Sequence, residues 1–141
     1  MIILDTNVIS EVMKDEPNPI VLGWLNAMPP ASLFVASVSQ AELLYGIALL
    51  PAGKRRGDLL HAASIAFNRH FRGRVLPFDN DAAHAYAELA STRRQAGRPM
   101  TPFDAQIAAI ARSRGAELAT RNVPDFDGCG IVVINPWSLT S

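Results

Sequence analysis

Residues 2–7 read Ile2-Ile3-Leu4-Asp5-Thr6-Asn7, a short apolar run that ends at three residues favoured as helix N-caps. A strand that hands over directly to a helix leaves Asp5 at the strand's C-terminal end, the edge where open parallel sheets bind ligands. The rest of the chain repeats that rhythm. Apolar runs predict strands over residues 2–4, 33–36, 75–78, 117–119 and 131–134, most of them β-branched as buried parallel strands are. Helical periodicity falls between them, over residues 7–14, 19–27, 40–50, 57–71, 82–96 and 103–114. Pro17, Pro29-Pro30, Pro51, Pro77, Gly97 with Pro99, Gly115 and Pro124 punctuate these segments where turns or helix ends belong. The expected architecture is α/β: a single α/β/α layered domain over residues 1–141, with a mainly parallel central sheet and right-handed crossovers.

Composition narrows the functional classes. At 141 residues, 49% hydrophobic and 18% charged, the chain has the makings of a core and none of the charged, core-poor character of a disordered segment. Thirteen basic residues balance thirteen acidic ones, so any polyanion must be met by a local patch rather than a global field. Lone Cys129 excludes a disulfide framework and a cysteine zinc site, and fits a reducing compartment. No basic leader precedes the first apolar run and no stretch approaches the roughly eighteen apolar residues of a membrane helix, so a cytoplasmic location without membrane contact is expected. A nucleophile elbow, a P-loop and a dinucleotide glycine fingerprint are all absent.

Four acids then stand out, each with a plain structural alternative. Asp5 is equally a helix N-cap. Asp104, in Thr101-Pro102-Phe103-Asp104, has capping-box spacing, although Asp reaches the cap amide less easily than Glu. Ser39-Gln40-Ala41-Glu42 is a better capping box, which makes Glu42 read alone a cap before a ligand. Asp125 follows the strand at 117–119 in Thr120-Arg121-Asn122-Val123-Pro124-Asp125, where Pro-Asp is also a turn signal. A parallel sheet brings such positions to one crevice. Carboxylates gathered there repel one another unless a cation offsets their charge, and an all-oxygen set suits Mg²⁺ or Mn²⁺ rather than Zn²⁺. His61, His70 and His84 lie in helical patterns with no zinc spacing and are assigned no chemistry.

Four blocks of this sequence resemble the PIN-domain ribonucleases, and within them the toxins of VapBC-type toxin-antitoxin pairs. They are Ile3-Leu4-Asp5-Thr6-Asn7-Val8-Ile9-Ser10, then Ser39-Gln40-Ala41-Glu42-Leu43 with Tyr45-Gly46, then Thr101-Pro102-Phe103-Asp104-Ala105-Gln106-Ile107-Ala108, and last Thr120-Arg121-Asn122 through Asp125-Phe126. A closing Ile134-Asn135-Pro136-Trp137 is typical of close relatives. The resemblance implies an acidic pocket that binds Mg²⁺ or Mn²⁺ and cleaves single-stranded or loop RNA. It places Asp5, Glu42 and Asp104 in the three principal acidic positions and carries the fourth to Asp125. Thr6, Thr120 and Asn122 become supporting residues, and Arg121 the arginine nearest the pocket for an RNA phosphate. It also implies a growth-arresting toxin neutralised by a cognate VapB-type antitoxin, acting as a homodimer and in a toxin-antitoxin hetero-oligomer.

Two other readings compete. One is a catalytically silent PIN-like module that binds RNA or protein. The other is a phosphatase using Asp5 as nucleophile, although Asn7 stands where such enzymes carry a second acid. Eleven of the thirteen basic residues are arginine, whose planar fork suits phosphate; 54–56, the trio Arg69, Arg72 and Arg74, and the group Arg93, Arg94 and Arg98 are candidate clusters. Leu43, Leu44, Ile47, Ala48 and Leu50 give the helix at 40–50 more apolar surface than one buried stripe requires, which suits either core packing or an interface.

Overall fold

A computed structural model describes residues 1–138. Five strands appear where apolar runs predict them: β1 (Ile2–Leu4), β2 (Leu33–Ala36), β3 (Val75–Leu76), β4 (Glu117–Ala119) and β5 (Val133–Ile134), the third and fifth shorter than expected. The helices are α1 (Thr6–Val12), α2 (Pro19–Ala27), α3 (Ser37–Ala48), α4 (Lys54–Ile65), α5 (Asn80–Gln95) and α6 (Pro102–Arg114). Helix α4 runs on into a π-helical turn at Ala66–His70, where the Phe71 amide donates back five residues to the Ala66 carbonyl at 2.9 Å.

All strand pairings are parallel, in the order β3-β2-β1-β4-β5. Side chains alternate across the sheet with the period of two that pleating imposes. Ile3, Ala36, Leu76 and Leu118 face one layer, with α5 and α6. Ile2, Leu4, Leu33, Val35 and Ala119 face the other, with α1 to α4. Helix α6 is the most deeply seated: Ile107 through Ala111 are shielded completely from solvent, and each buried isoleucine contributes roughly 1.5–3 kcal/mol. It stops at Gly115, whose left-handed backbone (φ 62°) lets the Ala116 amide close on the Ala111 carbonyl.

Strand order decides where a site can form. From β1 the chain winds outward to β2 and β3, then returns through α5 and α6 to the other side of β1 at β4. Between β1 and β4 the winding direction reverses, and the loops leaving the two strands part to leave a crevice. Asp5 and Thr120 are the residues that follow those two strands.

The surplus on α3 is partly absorbed by packing: Ile47 is buried and Leu43, Leu44 and Leu50 are half-buried, while Ala48, Tyr45 and the neighbouring Leu49 stand exposed. All three histidines are exposed and none lines the crevice. Among the described residues no helix is long and apolar enough to cross a membrane.

Candidate functional site

Asp5 turns out to be both cap and crevice residue. It ends β1, its amide donates to the Ala119 carbonyl of β4, and its Oδ1 accepts from the Thr6 amide at 2.7 Å as α1 begins. Its Oδ2 accepts from the Thr120 hydroxyl at 2.7 Å and from Asn7 Nδ2 at 3.3 Å. Asn7 reaches further. It donates to Thr120 Oγ1 at 3.2 Å, and its Oδ1 accepts from the Arg121 amide at 3.3 Å, so one side chain laces the start of α1 to the end of β4. Thr120 Oγ1 also accepts from the Asn122 amide at 3.1 Å.

Glu42 is not a cap. Helix α3 begins at Ser37, directly after β2 and without a side-chain N-cap bond, so Ser39 and Glu42 lie inside the helix rather than at its mouth. The Ser39 hydroxyl is buried and has no hydrogen-bond partner within the described residues. Glu42 instead points at α1, where its Oε1 accepts from the Thr6 hydroxyl at 2.9 Å. Asp104 keeps half of its expected box: its amide donates to the Thr101 hydroxyl at 3.3 Å while its carboxylate lines the crevice.

The resulting cleft, of about 440 Å³, is lined by Asp5, Thr6, Asn7, Glu42, Asp104 and Asn122, with Arg121 and Trp137 on one side and Ser10, Glu11 and Lys14 on another. Burial pushes the Asp5 carboxyl above its ordinary range and the Glu42 charge adds to this, against hydrogen bonds from Thr120, Thr6 and Asn7. Asp104 is raised as well, by burial first and then by the charges of Asp5 and Asp125, with Thr101 and Arg93 opposing. These carboxylates therefore feel one another electrostatically. Glu11 behaves differently: burial works against its charge, but hydrogen bonds from Lys14 and the Asn18 amide win and hold its carboxyl below the usual range. It ties the end of α1 to the start of α2.

Asp125 sits on a short 3₁₀ turn (Val123–Phe126), exposed and outside the residues that line the cleft. Its backbone carbonyl accepts from Arg93 Nη1, a guanidinium that also donates to the carbonyls of Arg98 and Asp127. Arg93 is thus buried and structural and Arg74 donates to the Leu33 carbonyl, whereas Arg98 forms an exposed pair with Asp127. Burial raises the Cys129 thiol, which suits a packing role.

Among the described residues, no three acid, histidine or cysteine side chains close into a ready-made metal cage. The donor set is nonetheless all oxygen, shares one cleft, and has two members raised by burial first and then by neighbouring negative charge. That combination fits a hard cation that keeps several waters and completes its coordination with substrate phosphate, as Mg²⁺ does. Sequence reasoning missed Asn7 as an organiser and missed Ser10, Glu11, Lys14 and Trp137 as lining. For α1 the spacing holds a signal, since Asn7, Ser10 and Glu11 recur at three and four residues along one helical face, with Lys14 just past the helix end.

Comparison with known proteins follows the same outline. Residues 2–126 match the PIN domain family. A VapC ribonuclease of Sinorhizobium fredii is 42% identical over 97% of this chain and 98% of its own length. The plasmid stability protein StbB of Pseudomonas syringae pv. tomato is 45% identical over 97% and 99%. A solved structure of FitAB bound to a DNA fragment superposes with a TM-score of 0.93 at 35% identity, covering 100% of this chain and 99% of that one.

Proposed function

Since this chain belongs to the PIN domain family, we propose that it is a Mg²⁺- or Mn²⁺-dependent endoribonuclease, the toxin of a toxin-antitoxin pair. The observation that carries the reading is the meeting of Asp5, Glu42 and Asp104, from three separate elements, in one cleft at the reversal of the sheet. Two of these carboxyls are raised by burial and by one another, a state that a bound cation relieves.

Asp5, Glu42 and Asp104 would hold the ion, with Asp125, whose charge acts on Asp104 from its exposed turn, as the fourth acid of the set. When bound, the cation neutralises charge on a phosphodiester and acidifies the attacking water. The chain's own groups set the geometry. Thr6 orients Glu42 through its hydroxyl, while Thr120 and Asn7 fix the Oδ2 face of Asp5. Asn122 offers a neutral oxygen at the rim. A phosphatase reading is disfavoured because Asn7, standing where such enzymes carry a second acid, donates to Asp5 instead of serving as an acid.

The relatives' names supply the biological setting: a ribonuclease, a plasmid stability protein, and a structure of FitAB on DNA. They support RNA cleavage by one half of a toxin-antitoxin pair, and the proposal adds growth arrest in the cytoplasm, relief by a small VapB-type antitoxin, and assembly as a homodimer and a toxin-antitoxin hetero-oligomer. Purified Asp5→Asn protein tests the chemistry. Its Mg²⁺-dependent RNA cleavage should fall by at least about a hundredfold, since perturbing even the supports of metal ligands costs about 10–100-fold. Full activity in that variant would remove the proposal and leave the silent RNA- or protein-binding module in its place.

A further inference from the structure

Arg121 sits at the mouth of a cleft lined by Asp5, Glu11, Glu42 and Asp104, yet its guanidinium pairs with none of them. Among the described residues it makes no side-chain hydrogen bond either. It lies instead over the indole of Trp137, with its central carbon 5.3 Å from the ring centroid. Both partners are anchored from behind. The Arg121 amide donates to Asn7 Oδ1, and the Trp137 amide donates to Asn135 Oδ1 at 3.0 Å, next to buried Pro136. The Trp137 ring is half-buried against the apolar cluster under α1 to α4. The Trp137 side chain also hydrogen-bonds to Glu11, which fixes the indole, and the indole in turn holds the exposed Arg121 guanidinium at the edge of the acidic cleft.

We propose that Arg121, laid on Trp137, is a stacking shelf for one unpaired RNA base beside the scissile phosphate, with Trp137 as its positioning residue. The inference rests on the nuclease reading above. Two considerations favour a shelf over a simple phosphate contact. The guanidinium fork suits a phosphate without any aromatic beneath it, so the Trp137 support is the feature a phosphate contact does not need, whereas stacking a base needs a held plane. The chain also carries no net charge and its cleft is acidic, so a hold on RNA that does not depend on charge is what this site lacks. An unstacked base reaches such a plane and a base inside a duplex does not, so the shelf selects single-stranded RNA.

The test uses a twelve-nucleotide single-stranded RNA spanning one mapped cleavage position, with each nucleotide in turn replaced by an abasic one. Wild-type protein should lose about tenfold in kcat/KM at one abasic position next to the cut, the size expected for one stacked base. Arg121→Lys and Trp137→Leu should cut intact RNA at that lowered rate and be indifferent to the same abasic replacement, and Trp137→Phe should recover most of the difference. Should Trp137→Leu fail to fold, Arg121→Lys, a change at an exposed side chain, decides the matter alone. A flat abasic profile in wild type, or Arg121→Lys that retains both rate and sensitivity, overturns the shelf and leaves the nuclease standing. No cleavage of any RNA by the wild-type protein brings down the nuclease reading and the shelf with it.

Discussion

Thr6 links two of the acids with two different atoms: its amide donates to Asp5 and its hydroxyl donates to Glu42. Thr6→Val keeps the first bond and removes the second at almost constant volume. RNA cleavage should drop by about 10–100-fold, because a metal-holding carboxylate that loses its orienting partner wanders, while the thermal midpoint stays close to wild type. Steady-state cleavage rates and a melting curve on the same preparation separate the two effects. Asp5 and Asp104 were legible in the sequence because each stands at the junction of a predicted apolar run or loop with a helix. Asn7 was not, since its value lies in Thr120, a partner 113 residues away that no spacing rule reveals. Trp137 was noted only as part of a family ending, because a cation-π contact with Arg121 leaves no local pattern.

At the level of elements, the misjudged start of α3 shows why capping motifs mislead in this fold. Ser39-Gln40-Ala41-Glu42 has the right letters, but β2 passes straight into helix at Ser37, so the motif lies in the second half of the first turn and beyond, with Glu42 free to face α1. The short end strands were overestimated because their apolar runs continue past the residues that find a ladder partner: β3 pairs only through Val75 and Leu76, and β5 only through Val133 and Ile134. The turn bearing Asp125 depends on α5 through one buried guanidinium. Arg93→Met would leave the carbonyls of Arg98, Asp125 and Asp127 without that donor, and should cost at least about 2 kcal/mol in stability. Chemical denaturation reads this directly, and an unchanged midpoint would mean that the turn is held elsewhere.

For the whole molecule, the layered α/β/α plan was legible because strand and helix periods alternate so regularly, whereas the order β3-β2-β1-β4-β5 was not, since pairing partners are set by long-range packing. That order creates the cleft and stores unfavourable charge in it. The carboxyls of Asp5 and Asp104 are raised in the native state, so in the window above the ordinary value of 3.8 the folded protein binds more protons than the unfolded chain. Their contribution to stability without metal therefore falls as pH rises through that window, and levels off above the native values. Asp5→Asn removes the Asp5 share, so the stability of wild type relative to that variant should decline with rising pH in chelator. Manganese should reverse the trend, raising the wild-type melting temperature more at pH 7.5 than at pH 5, because ligating carboxylates must first lose their protons. Equal shifts at both pH values would show that these acids are not where the ion acts. The most direct measurement is anomalous diffraction from crystals grown with Mn²⁺. A manganese peak should lie in the cleft within ligand distance of Asp5, Glu42 and Asp104, either directly or through one water. A well-ordered cleft with those three side chains in place and manganese found only elsewhere would contradict the proposal.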